Sequence, residues 1–150
     1  MVLLADLIST GNRQAEEERA REKAAAAEAK RDLAEDQRPR RATLPEGAAA
    51  RPALERGITA DVRGRVRAGL LEGPIAATTC IAIGNGRGAY NCFTLSSRRE
   101  AIRTIESGYR FSAKADLATG ALAWCKRNPR PLHPDTGYFV VLPVSADCLP

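Results

Sequence analysis

Thr78-Thr79-Cys80-Ile81-Ala82-Ile83, then Gly84-Asn85-Gly86-Arg87-Gly88, then Ala89-Tyr90-Asn91-Cys92-Phe93-Thr94-Leu95 is the stretch whose reading decides the fold. It reads as strand, glycine-rich turn, strand. A hairpin folded about Gly86 sets positions 80 and 92 directly opposite each other. In a non-hydrogen-bonded antiparallel pair the Cα atoms lie about 4.5 Å apart, a separation that a disulfide tolerates. Pairing Cys80 with Cys92 leaves Cys125 with Cys148, one of the three connectivities that four cysteines allow. On the chain-entropy account, closing so short a loop contributes about 3 kcal/mol. The alternative is four buried free thiols in a reducing compartment, because free cysteine is also a common core residue.

Working outward, the cysteines keep company with the aromatic residues. All of the Trp, Tyr and Phe lie from Tyr90 onward, and the first fifty residues are dominated by Ala, Glu, Arg and Lys. That half lacks the apolar bulk to build a core. A folded unit of roughly 70 to 95 residues hides only about 60% of the surface its unfolded chain exposes, so it needs added restraint. Disulfides supply it. The spacing does not favour zinc, although distant ligands can converge in three dimensions: the gaps between cysteines are 11, 32 and 22 residues, and the chain has one His.

N-terminal to the hairpin, Asn12 reads as a helix cap, followed by Glu16, Glu17 and Glu18 and an Ala-rich run to about Asp36. Leu33 is its one large apolar residue, so no heptad seam is present and the helix reads as a solvated spacer, a stalk or an ordinary charged linker. Gln37 to Arg51, with Pro39, Pro45 and Gly47, reads as a flexible connection. Pro52 to Leu70 reads as a second helix whose Leu54, Ile58, Val62, Val66 and Leu70 recur every four residues and should pack on the domain. Gly57 and Gly64 weaken it by about 1 kcal/mol each relative to Ala.

C-terminal to the hairpin, Ser97-Arg98-Arg99-Glu100 fits a capping box opening a short helix stopped by Gly108. Tyr109 to Asp116 and Ala121 to Lys126 read as a second hairpin turning through Leu117-Ala118-Thr119-Gly120. Asn128 to Pro134 reads as an irregular loop, and Tyr138 to Leu142 as a last strand. The prediction is an α+β fold. Residues 1–51 form a charged helical stalk and flexible linker. Residues 52–150 form a disulfide-stapled domain of one or two helices on a small antiparallel sheet of about five strands.

Little in the chain points to chemistry. Gly84 to Gly88 follows a strand but opens no helix, so it lacks the aligned N–H groups of a phosphate cradle and reads as a turn. His133 has no second His and no nucleophile beside it in sequence. Glu100, Glu106, Asp116, Asp135 and Asp147 are scattered over different elements, and an enzyme with a diffuse site would need Asp116, Asp135 or His133 to share a cleft. Trp124 reads as packing against the neighbouring disulfide. No catalytic residue, metal or cofactor is expected. One charge asymmetry stands out: from Gln37 to Arg67 eight basic residues face three acidic ones. Arg38, Arg40, Arg41, Arg56, Arg63 and Arg67 are the candidate anion-binding residues, for nucleic acid or an anionic membrane surface.

Thr79-Cys80, Tyr90-Asn91-Cys92 and above all Ala123-Trp124-Cys125-Lys126-Arg127-Asn128-Pro129, with Val140 to Pro143 and Cys148, carry a resemblance. The sequence resembles a group of uncharacterised actinobacterial proteins in which an anchor or signal precedes a variable linker and a four-cysteine extracytoplasmic domain. The likeness spans Leu54 to Cys148, about two-thirds of the chain. It implies a fold and a location and supplies no activity. Met1 to Ile8 departs from that pattern: it has no basic start, Asp6 interrupts it, and it is shorter than the ~20 residues of a span. The expectation is a truncated or wrongly started N-terminus whose Val2 to Ile8 are the last turns of an anchor, against the alternative that Met1 is the true start of a cytosolic protein. Together these readings predict a non-enzymatic, extracytoplasmic or membrane-associated interaction module with a protein or cell-envelope partner. The alternative is a binder of anionic surfaces through its basic segment.

Overall fold

The computed structural model describes residues 2–85, 88–96, 108–127 and 143–149. The elements run α1 (Val2–Asp36), β1 (Arg40–Thr43), α2 (Ala50–Arg67), β2 (Ile75–Ile83), β3 (Ala89–Ser96), β4 (Gly108–Asp116), β5 (Ala121–Lys126) and a short 3-10 turn (Ala146–Cys148). The five strands form one antiparallel sheet in the order β1-β5-β4-β3-β2. This is the α+β architecture that the sequence predicts. Gly86, the capping-box helix at 97–107, the loop at 128–134 and the strand at 138–142 lie outside the described residues.

The first hairpin has the expected register. Cys80 pairs with Cys92, Thr78 with Thr94 and Ile83 with Ala89, and Cys80 and Cys92 form a disulfide across Cα atoms 4.0 Å apart. Because side chains alternate along a strand, this one pairing assigns faces to the whole sheet. Cys92 pairs with Phe111, and Phe111 with Lys126, so Cys80, Cys92, Phe111, Ala113, Leu122 and Trp124 share an inner face. All six are buried. Residues one step away, such as Ile81, Phe93, Arg110 and Cys125, belong to the outer face. The second disulfide, Cys125–Cys148, therefore closes on the side opposite the first.

Helix α2 covers the inner face through Leu54, Ile58 and Val62, none of which retains any exposure. Gly57 has a role beyond its low helix propensity: a Cβ there would lie 3.0 Å from Trp124 Cη2, so its absence lets the indole lie against the helix. The predicted four-residue stripe fails at its last position. Leu70 is 66% exposed, because Gly69 in the left-handed conformation ends the helix first. Leu70 N–H donates to Arg65 O and Gly69 N–H to Val66 O, the paired bonds of a Schellman stop. Leu71 takes the core position instead.

Two boundaries differ from expectation. The first helix starts at Val2 rather than Asn12, since one Gly and one Asn cost too little to halt a run of good helix formers. The segment expected to be a flexible connection is partly strand: Arg40 to Thr43 pair with Ala121 to Trp124. Its Arg-Arg-Ala-Thr sequence has no apolar alternation, and backbone pairing alone places it.

The second hairpin turns as its sequence predicts, with Gly120 at φ 72°. Asp116 Oδ1 accepts from the N–H groups of Ala118 and Thr119 at 2.9 and 3.3 Å. Hydrogen bonding by Thr119, then by the two backbone N–H groups, holds the Asp116 carboxyl below its ordinary value, with a smaller contribution from Lys114. A depressed folded value means that the stabilisation is complete above the ordinary carboxylate value of about 3.9 and disappears as pH falls through the lower folded value. An NMR titration should show Asp116 still ionised where ordinary aspartates are half protonated. A normal titration would show that the turn hydrogen bonds do not persist in solution.

Replacing Cys80 and Cys92 together by Ala is expected to lower stability in urea by about 3 kcal/mol. A change under 1 kcal/mol would mean that the inner-face packing alone holds the hairpin.

Candidate functional site: a stalk clamp and an open sheet face

From Thr10 to Asp32 no side chain of α1 is buried, and among its described side chains the helix meets the domain at its C-terminal end. There Leu33 and Gln37 are 6% and 5% exposed. Between them Asp36 joins two elements of the domain. Its Oδ1 and its main-chain carbonyl accept from Arg65 Nη1 at 3.3 and 3.0 Å, and its Oδ2 accepts from Lys126 Nζ.

Arg65 in turn grips Asp61 in a two-bond fork of 3.1 and 2.9 Å, and Trp124 Nε1 donates to the same Asp61 carboxylate at 3.0 Å. Lys126 lies 5.6 Å from the centroid of the Tyr109 ring. Two cations and two anions thus neutralise each other where α1, α2, β4 and β5 meet. Satisfaction at this junction is incomplete: Gln37 Oε1 and Arg40 Nε are buried without a hydrogen-bond partner. The cluster joins the end of α1 to α2 and β5 through paired charges. Sequence reasoning missed it. The i,i+4 spacing of Asp61 and Arg65 was a visible signal, whereas the approach of Asp36 and Lys126, 90 positions apart, was not.

The six candidate arginines do not converge. Arg38 and Arg40 both bridge to Glu35, at 3.2 and 3.6 Å, and Arg41 bridges to Asp147 at 2.7 Å. Arg40 and Arg41 are neighbours on a strand and so point to opposite faces of the sheet. Arg63 donates to the carbonyls of Ile75 and Ala76. Arg56 and Arg67 are exposed on α2.

Arg63 has a second meaning. Strand β2 is an edge of the sheet, nine residues long and uncharged, which is a template for unwanted pairing. Arg63 occupies its Ile75 and Ala76 carbonyls, and Glu55 Oε1 accepts from the Cys80 N–H at 2.9 Å. Side chains from α2 therefore guard the first two-thirds of that edge. At the other edge, β1 is short and carries two arginines.

The outer face is the other accessible surface. Cys125 and Cys148 tie the 3-10 turn to it, leaving a groove toward each end. Near the second hairpin turn the groove carries Arg41, Lys114, Asp116 and Asp147. At the opposite end the groove is lined by Thr79, Ile81, Asn91, Phe93, Arg110 and Arg127. Of the residues considered for acid-base work, Asp116 is engaged in its own turn and Asp147 with Arg41; Glu100, Glu106, His133 and Asp135 lie outside the described residues. No group of three or more His, Cys, Asp or Glu is placed to hold a metal among the described residues. No protein-family profile, curated protein or solved structure matches the chain.

The clamp makes a direct prediction. Asp36→Asn removes the charged carboxylate to which Lys126, 1% exposed, donates and is expected to cost about 3 kcal/mol in urea unfolding with the disulfides intact. Combining it with Lys126→Met should cost markedly less than the sum of the two single changes. Simple additivity would show that the pair is not coupled.

Proposed function

We propose that this chain is a non-enzymatic interaction module that works outside the cytoplasm, its disulfide-stapled domain presented on a rigid helical stalk. The observation that carries the reading is the combination of two disulfides, one on each face of the sheet, with a 35-residue helix joined to the domain through Asp36. Disulfides persist in oxidising compartments and staple domains with small cores. At 1.5 Å per residue α1 is about 50 Å long, a reach suited to holding a domain away from the surface to which its far end is attached. A joint made of neutralised ion pairs transmits the orientation of that helix to the sheet, where a bare linker would not.

The anionic-surface reading has less support. Three of its six arginines are already paired with carboxylates, and Arg63 is engaged with the β2 backbone. No helix among the described residues is long and apolar enough to cross a membrane.

The test is intact mass before and after alkylation, without reductant, on protein purified from its native source. No added alkyl groups on folded or denatured protein, with peptides mapping to Cys80–Cys92 and Cys125–Cys148, is the expected result. Four alkylated thiols would overturn the extracytoplasmic assignment.

A further inference from the structure

The two grooves on the outer face differ in electrostatic character. Around the first, of about 480 Å³, Arg41 and Lys114 stand with Asp116 and Asp147, and the charges cancel. The second, of about 680 Å³, holds Arg110 and Arg127 and, among the described residues, no carboxylate. That volume falls in the range of small-ligand sites.

The sheet register orders its lining. Thr79 pairs with Phe93, and Phe93 with Arg110; Arg127 N–H donates to Arg110 O at 2.8 Å. These four residues make one transverse row on the outer face, running from β2 to the end of β5. Ile81 and Asn91, paired with each other, lie in the row beside it. The apolar side chains therefore stand on β2 and β3; Arg110 stands on β4, and Arg127, rooted at the end of β5, reaches back to Asn91 on β3. Three inter-strand spacings of about 4.8 Å separate the ends, so the floor is about 14 Å long. Ile81 is 68% exposed, an unusual state for a large aliphatic on a strand. Arg127 donates at 3.4 Å to the neutral Asn91 Oδ1, and neither arginine meets a carboxylate among the described residues.

A pair of guanidinium groups that meets no carboxylate among the described residues recognises an oxyanion; the guanidinium fork matches both carboxylate and phosphate, and carboxylate is the planar, singly charged one of the two. The adjoining apolar floor requires that the anion carry a nonpolar chain. We propose that this groove binds a single-chain amphiphile with a carboxylate head, the head on Arg110 and Arg127 and the chain along Phe93 and Ile81. This names a ligand class for the module described above and rests on that reading only in taking the domain to be a binder.

Calorimetric titration of the full chain, disulfides intact, with decanoate below its aggregation concentration tests the site against two partial probes, decanol and acetate. Decanoate should bind saturably, and each partial probe should bind about tenfold more weakly or worse. Arg110→Gln with Arg127→Gln should bring decanoate to the decanol level without changing the far-UV spectrum or the unfolding midpoint. Ile81→Ser, at an exposed position, should weaken decanoate and leave acetate unchanged, which tests the apolar half independently of the arginines. Decanoate binding no tighter than decanol, or unchanged in both variants, would overturn the proposal. Such a failure is separable from failure of the extracytoplasmic, disulfide-stapled reading, which the thiol masses decide.

Discussion

The opposition of Cys80 and Cys92 is the constraint on which the rest of the structure depends. A strand has a side-chain period of two, so a slip of one residue would send every inner residue of β2 to the solvent face. The covalent bond forbids that slip. Once Cys80 faces Cys92, the ladder carries the same assignment to Phe111 and on to Lys126, and the inner face acquires its apolar residues together. Helix α2 then has one surface on which Leu54, Ile58 and Val62 can be buried. Gly57 refines the fit by leaving room for the Trp124 ring.

Placing one disulfide on each face divides the labour between them. Cys80–Cys92 lies within the core and stabilises the hairpin against which α2 packs. Cys125–Cys148 holds the end of the chain on the outer face, where no helix of the described residues lies. The outer face consequently keeps two accessible grooves, and their charges differ because Asp147 and Asp116 stand near one and not the other. The inner face is committed to packing against α2, which leaves part of the outer face accessible.

The Asp36 junction adds a further relation, between the domain and its stalk. Buried ion pairs contribute little net stability compared with apolar packing, but they are costly to break by halves and demand a defined geometry. Arg65 satisfies both Asp36 and Asp61, and Trp124 binds the same Asp61 that Arg65 grips. A change in the direction of α1 would therefore strand charges on α2 and β5. The same helix α2 carries Glu55 and Arg63 to the β2 edge, so the element that builds the core also joins the stalk and guards the sheet from pairing with other chains.

What the sequence determined by itself was local. The hairpin register followed from equal spacing about Gly86, the second hairpin from strict alternation beside a Gly120 turn, and the core face of α2 from its four-residue stripe. Each rests on interactions between residues near in the chain, whose geometry is nearly independent of the remainder. The tertiary structure decided what depends on distant approach. Arg40 to Thr43 became a strand because β5 offered unpaired backbone groups, although no side-chain pattern marks the segment. Leu70 left the core because Gly69 turned the chain out before it. Arg65, one of the eight basic residues from Gln37 to Arg67, is buried where Asp36 reaches it from another helix. The basic stretch that looked continuous in sequence was divided among a helix end, two faces of a strand and a second helix. Charge that is counted along a chain becomes a field only where the fold brings it together, and here the fold set Arg110 and Arg127, unremarkable in sequence, side by side.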